Sequence, residues 1–270
     1  MDRAEIPVVI PCGGKGTRIR EASDRLPKPM IEVGGRPIVW HIMKIYHHHG
    51  FRRFVLPLGY KGWTIKDYFL RYREMTGSLR LGLADGSVEV IDHTPSEDWE
   101  LTLVDTGLET GTAGRVARVR EHLDADHFML TYGDGVADID LGALVDTHLG
   151  SDNLVTVTGV HPVSRFGELT TDGDRVTSFM EKPEVDAGLI NGGFFMFRNR
   201  FLDYIDDDSG MLETGPLPSA VRDGAMGLYR HTGFWRSMDT FREWSELNEL
   251  WDSGQATWKV WDDERTGEQT

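Results

Sequence analysis

The chain has 270 residues, 39% hydrophobic and 27% charged, which fits a soluble globular protein with room for one large domain or two small ones. Its net charge of −15 argues against a nucleic-acid-binding surface, and no apolar run approaches the roughly 20 residues that span a bilayer. Cys12 is the single cysteine, so an intrachain disulfide and a cysteine-cluster metal site are excluded.

The start, "MDRAEIPVVIPCGG", is acidic and lacks a secretory pattern, so a cytoplasmic location is expected. "IPVVIP" reads as a short buried strand running into a turn with Gly13, Gly14 and Gly16. From Lys15 to Arg36 stand six basic residues (Lys15, Arg18, Arg20, Arg25, Lys28, Arg36) against three acidic ones (Glu21, Asp24, Glu32), a local charge of 6 − 3 = +3 in an acidic chain. A glycine turn beside such a field suits phosphates, whose oxygens accept from backbone N–H groups and from cations. It is not a P-loop, because the lysine precedes Gly16, and it is one glycine short of a dinucleotide fingerprint.

A helix is expected from near Pro37, with Ile38, Ile42, Ile45 and Tyr46 at helical spacing and Gly50 at its end. His47, His48 and His49 follow; adjacent helical residues point about 100° apart, so they read as C-terminal helix residues rather than metal ligands. "RRFVLPLGY" is a strand, and "GWTIKDYFLRYREM" a helix with Ile65, Tyr68, Phe69 and Tyr72 on one face. "LRLGLADGSVEVI" is strand-like around an Asp85-Gly86 turn. "VARVREHL" is a short helix, "HFMLTYGDG" a strand ending in a loop, and "LGALVDTHL" a helix. This alternation predicts an α/β protein with a mostly parallel sheet flanked by helices.

After about residue 151 the chain becomes strand-rich ("NLVTVTGVHP", "RVTSFMEKP", "GGFFMFR"). It ends on a helix, "FREWSELNELWDSG", with Trp244, Leu247 and Trp251 on one face. A single domain is expected, with a nucleotide-binding part over about 1–150 and a smaller β-rich part over about 151–270. Cys12 reads as a packing residue beside the glycine turn.

"CGGKGTR" followed by "LPKPMIEVGGRPIVWHIM" resembles the signature of sugar-1-phosphate nucleotidyltransferases. "LVDTGLETGTAGRVARV", "FMLTYGDGVADIDL", "RFGEL", "EKP", "INGGFFMF", "HTGFWRSMDT" and "LWDSGQATWKVW" resemble the branch that transfers a cytidylyl group. The resemblance implies a Rossmann-like nucleotidyltransferase fold, CTP and glucose 1-phosphate as substrates, Mg²⁺ as cofactor, and a homo-oligomer with no nucleic-acid or membrane partner. It implies that Arg18 and Lys28 act on the triphosphate. Gly13, Gly14, Gly16, Thr17, Thr110, Thr112, Gly114, Arg115 and Gly133 would lie along the nucleotide. Glu181, Lys182, Asn191 and Gly192 would hold the sugar phosphate, and Asp134 and Asp239 the metal. On the residues alone, Asp134 reads as a turn aspartate and Asp239 as a helix cap, and Asp138 and Asp140 read as loop and cap residues.

Three departures from the family pattern bear on specificity: Pro11-Cys12 before the glycines, Ala113 in place of a glycine, and Arg236-Ser237 where the family shows glutamine and proline. Arg236 is therefore expected beside the sugar phosphate. The other readings are a nucleotidyltransferase of the same fold with another nucleotide or sugar, a glycosyltransferase using Asp138 and Asp140 as a D-x-D pair, and a nucleotide-binding regulator without catalysis.

Overall fold

The computed structural model describes residues 1–14, 26–92, 97–162, 168–180, 188–205 and 210–262. In chain order it begins with β1 (Val8–Val9), a small ribbon of β2 (Glu32–Val33) and β3 (Arg36–Pro37), and helix α1 (Ile38–His48). Then come β4 (Arg53–Leu58), α2 (Gly62–Leu70), α3 (Tyr72–Thr76) and a hairpin of β5 (Ser78–Gly82) and β6 (Ser87–Asp92). β7 (Glu100–Asp105), α4 (Thr112–Ala117), β8 (His127–Thr131), β9 (Gly135–Ala137) and α5 (Leu141–Leu149) complete the first part. The second holds β10 (Val155–Val160), a hairpin of β11 (Glu168–Asp172) and β12 (Arg175–Met180), β13 (Ile190–Arg198), α6 (Pro216–Arg222), β14 (Met226–Arg230), β15 (Trp235–Ser237) and α7 (Phe241–Asp252).

Seven strands form the central sheet in the order β14-β10-β13-β8-β1-β4-β7. β13 runs antiparallel to both neighbours, and the other four pairings are parallel. The expected mixed, mostly parallel sheet is what forms. The strand-rich second part contributes β10, β13 and β14 to this same sheet.

Side chains alternate across a strand, so a doubly covered sheet needs apolar residues at every position. Val8 and Val9, Phe54 and Val55, Met129 and Leu130, and Phe194 and Phe195 divide in this way between two cores. The first core packs beneath α1, α5 and α7, the second beneath α4 and α6. Each fully buried phenylalanine contributes roughly 1.5–3 kcal/mol of transfer free energy.

α1 follows the expected spacing: Ile38, Ile42, Ile45 and Tyr46 are buried, and Gly50 closes the turn at φ 95°. The helix expected over "GWTIKDYFLRYREM" instead breaks at Arg71 into α2 and α3. Beyond the break, the Tyr72 hydroxyl accepts from Trp40 Nε1 and donates to Glu97, both at 2.7 Å. The helix at "VARVREHL" starts earlier, at Thr112, and gives way to a 3₁₀ turn at Arg120–His122. Among the described residues no helix is long and apolar enough to cross a membrane.

Candidate active site

In open parallel sheets the loops beyond the carboxyl ends of the strands form the ligand crevice. Here those of β1, β4, β7 and β8 supply Pro11–Gly14, Gly59, Thr106–Thr110 and Tyr132–Asp134. Gly16, Thr17 and Arg18, and with them most of the basic run, lie outside the described residues.

Arg115 ties these loops together. Its guanidinium donates to Leu58 O at 2.9 Å, Thr106 Oγ1 at 2.7 Å, Gly13 O at 3.2 Å and Leu108 O at 3.4 Å. Burial lowers its pKa, yet it remains a cation within that ring of acceptors. A Cβ on Gly13 would stand 1.9 Å from Arg115 Cζ. Gly13 is thus fixed by an internal contact, whereas Gly14 has nothing within 4 Å of such an atom. Cys12 is fully buried, its thiol donating to Ile10 O at 3.1 Å, and burial pushes its pKa up. It packs as expected.

Lys28 opens a 3₁₀ turn, Lys28–Met30, whose middle residue, Pro29, is buried. Its ammonium donates to Asp134 Oδ2 at 2.5 Å and to Asp239 Oδ1 at 2.7 Å. Burial works against its charge, but the charges and hydrogen bonds of the two carboxylates outweigh that and raise its pKa above the ordinary lysine value. The aspartates meet because β9 and β15 pair antiparallel, Ser237 opposite Gly135, and Met238 N–H donates to Asp134 O at 2.8 Å.

Asp239 is not the helix cap. Thr240 caps α7, accepting from Glu243 N–H at 3.2 Å, while Glu243 Oε2 accepts from the N–H groups of Asp239 and Thr240 at 2.8 and 2.9 Å. The Asp239 carboxylate is turned toward Lys28. Asp140 does cap α5, accepting from Ala143 N–H at 2.9 Å, and Asp138 lies 3.1 Å from His231 Nε2, so neither behaves as half of a D-x-D metal pair.

Two cavities meet at Asp134. One, of about 260 Å³, is lined by Gly13, Gly14, Lys28, Thr110, Thr112, Arg115, Tyr132 and Gly133 among others. The second, of about 590 Å³, is lined by Asn191, Gly192, Glu213, Trp235, Ser237 and Asp239 among others. Tyr132, Asp134 and Met211 belong to both walls. Gly133 is confined: a Cβ would lie 3.1 Å from Pro11 O and 3.3 Å from Pro29 Cγ. Gly114 is buried within α4 and lines neither cavity, and Ala113 turns its methyl into the second core.

On the second cavity, Asn191 Nδ2 donates to the Tyr132 hydroxyl at 3.2 Å, and Gly192 O accepts from Trp235 Nε1 at 2.7 Å. Glu181 and Lys182 lie outside the described residues. The expectation for Arg236 is corrected. Strand alternation puts Trp235 and Ser237 on the cavity side and Arg236 on the other, where it lines a separate pocket with Glu246 and Glu249 of α7. Its guanidinium stacks 5.3 Å from the Phe234 ring. Sequence reasoning missed Glu213 and Trp235. The sequence offered "FWRSMDT" as a signal for Trp235; Glu213 stands in an unremarkable "MLETG".

Carboxylate oxygens are hard donors of the kind Mg²⁺ prefers, and that ion takes one or two from protein and completes its shell with water and phosphate. Asp134 and Asp239, held by one ammonium, fit that demand, and among the described residues no group of three acidic, histidine or cysteine side chains could hold a metal.

The family model described as "Nucleotidyl transferase" matches residues 7–249. A probable glucose-1-phosphate cytidylyltransferase of Bacillus subtilis (strain 168) is 44% identical over 94% of this chain and 99% of its own length. The glucose-1-phosphate cytidylyltransferase of Salmonella typhi is likewise 44% identical, with the same coverage. Among solved structures, HddC from Yersinia pseudotuberculosis complexed with GMP-PN overlays with a TM-score of 0.67 at 23% identity, covering 91% of this chain and 99% of that one. The inositol-1-phosphate CTP transferase from T. maritima overlays with a TM-score of 0.66 at 14% identity, covering 97% of this chain and 100% of that one. Both overlays are likenesses of fold. With the match running through the glycine turn, Lys28, Asp134 and Asp239, the chain belongs to the nucleotidyl transferase family.

Proposed function

We propose that this chain transfers the cytidylyl group of CTP to glucose 1-phosphate, giving CDP-glucose and pyrophosphate. The observation that carries the reading is Asp134–Lys28–Asp239 at the junction of two cavities, one for each substrate. An oxygen of the sugar phosphate forms a bond to the α-phosphorus of CTP. The bond from that phosphorus to the bridging oxygen breaks, and the electron pair leaves in line with pyrophosphate. A phosphate monoester has its second pKa at about 6, so the nucleophile is already anionic near neutral pH and needs no strong base. The barrier is electrostatic, because two polyanions must meet and charge moves onto the leaving group.

The residues answer that demand. Lys28 spends two of its three N–H donors on the aspartates, which leaves the third for a phosphate oxygen. Asp134 and Asp239 would hold Mg²⁺, which when bound supplies positive charge to the phosphates. Arg115 acts through the loops it ties rather than on the nucleotide. Arg18, Gly16 and Thr17 are assigned to the triphosphate, and Glu181 and Lys182 to the sugar phosphate, on resemblance. The relatives of about equal length named above carry glucose 1-phosphate and cytidylyl transfer in their names. Of the departures that bear on specificity, Ala113 and Arg236 face away from the cavities, Cys12 is buried, and Pro11 and Ser237 stand on the cavity walls.

We assign residues 1–270 to one nucleotidyltransferase domain in the cytoplasm, about 1–150 serving the nucleotide and the rest the sugar phosphate. A homo-oligomer is the expected assembly. Pyrophosphate release across nucleoside triphosphates and sugar 1-phosphates tests the reading. CTP with glucose 1-phosphate should give the highest kcat/KM; another pair exceeding it tenfold would overturn the assignment.

A further inference from the structure

Glu213 has no task in the transfer as derived above, and its position is costly. It puts a carboxylate on the wall of a cavity meant for an anion. Its Oε2 accepts from Thr112 Oγ1 and its Oε1 from the Tyr132 hydroxyl, both at 2.7 Å. A carboxylate only accepts, so both hydroxyl protons point at it. The lone pairs of those hydroxyls must then face other donors, and they do: Leu212 N–H donates to Thr112 Oγ1 at 2.8 Å, and Asn191 Nδ2 to the Tyr132 oxygen at 3.2 Å. Asn191 Oδ1 in turn accepts from Gly193 N–H at 2.8 Å. The Glu213 carboxylate sets the direction of the two hydroxyl bonds, and the Gly193 N–H, which can only donate, orients the Asn191 amide so that its Nδ2 meets the tyrosine oxygen. Thr112 faces the first cavity, Asn191 the second, and Tyr132 both.

We propose that Glu213 is a positioning residue that couples the two substrate sites, holding Thr112 on the nucleotide side and, through Tyr132, the amide of Asn191 on the sugar side. Both Glu213 oxygens are engaged by these hydroxyl donors. The assignment of one cavity to each substrate rests on the function proposed above.

The test is a set of KM and kcat values for Glu213→Ala, Tyr132→Phe and the double variant. They are measured with whichever nucleotide and sugar phosphate the wild type turns over best. A wrong assignment of CTP or glucose 1-phosphate therefore shows in the wild type alone, and the coupling is judged on the variants. Losing a hydrogen bond to a charged group is worth about tenfold or more. Glu213→Ala should raise the KM of both substrates about tenfold, with kcat changed less than about threefold. Tyr132→Phe should raise the sugar-phosphate KM alone, and adding Glu213→Ala to it should not raise that value further. A Glu213→Ala enzyme with either KM unmoved, or with a sugar-phosphate effect that multiplies fully with Tyr132→Phe, overturns the coupling. If Glu213→Ala does not fold, Glu213→Gln keeps the shape and removes the charge. It should raise both KM values in the same direction, and unchanged values overturn the coupling.

Discussion

Lys28 faces two carboxylates at once, so its loss should disturb the whole cluster. Lys28→Ala should lower kcat/KM about a hundredfold or more, the usual scale for removing a preorganised group at a developing charge. Asp134→Asn should lower kcat by a similar factor while circular dichroism stays native; near-normal turnover would remove Asp134 from the metal role. Gly13 answers to a different demand. A methyl there meets the Arg115 guanidinium, so Gly13→Ala should cost about 1–3 kcal/mol by overpacking, read as a lower urea midpoint. On the residues alone Asp134 read as a turn and Asp239 as a cap; only the family resemblance set them beside Lys28, where the structure places all three together. Arg115's role was not legible, since three of its four partners are backbone carbonyls, which carry no residue identity. Arg236 was misplaced because the phase of a three-residue strand is invisible until its partner, β9, is known.

At the scale of the element, α7 sets the position of Asp239. Its capping box holds the N–H groups of Asp239 and Thr240, and Trp244 Nε1 donates to Glu32 O at 2.8 Å, tying the helix to β2. Thr240→Ala should cost about 1 kcal/mol of stability, and it should lower kcat more than a cap elsewhere would, because Asp239 adjoins it. Thr-to-Ala variants compared for denaturant midpoint and kcat check this, and an unchanged kcat would place the cap outside catalysis. Of the seven strands in the central sheet, the two that sequence reading left out, β7 and β14, are its edges. An edge strand is only partly covered, so "ELTLVD" and "MGLYR" lack the continuous apolar run that marks β8 and β13. α6 was hidden by its length of seven residues and its two prolines.

At the scale of the whole molecule, one feature joins distant parts of the chain and another lies open on its surface. His41 Nε2 lies 2.8 Å from Val33 O, and Trp258 Nε1 donates to its Nδ1 at 3.4 Å, so the ring is held neutral, with one nitrogen donating and the other accepting. Burial pushes its pKa down from 6.5 to about 4. The unfolded chain therefore binds a proton that the folded chain refuses, and His41's share of the stability is full above pH 6.5 and lost as pH falls toward 4. Urea midpoints of the wild type should fall over that window, and those of His41→Gln should fall less steeply. The second feature is the β5–β6 hairpin. Leu79 pairs with Val90 and Leu81 with Val88 on one face, while Arg80 bridges Glu89 on the other. Leu81 and Val88 are more than half exposed. The proposed homo-oligomer would have this apolar hairpin face available to bury. Leu81→Glu with Val88→Lys should lower the sedimentation coefficient toward that of the monomer.

The two cavities share Tyr132, Asp134 and Met211 rather than standing apart. On the proposed assignment of one cavity to each substrate, a nucleotide sugar would occupy both sites and compete with both starting compounds at once. Accumulating product would then throttle its own synthesis without a separate control site, and a stable mimic of the joined molecule is the natural lead for an inhibitor.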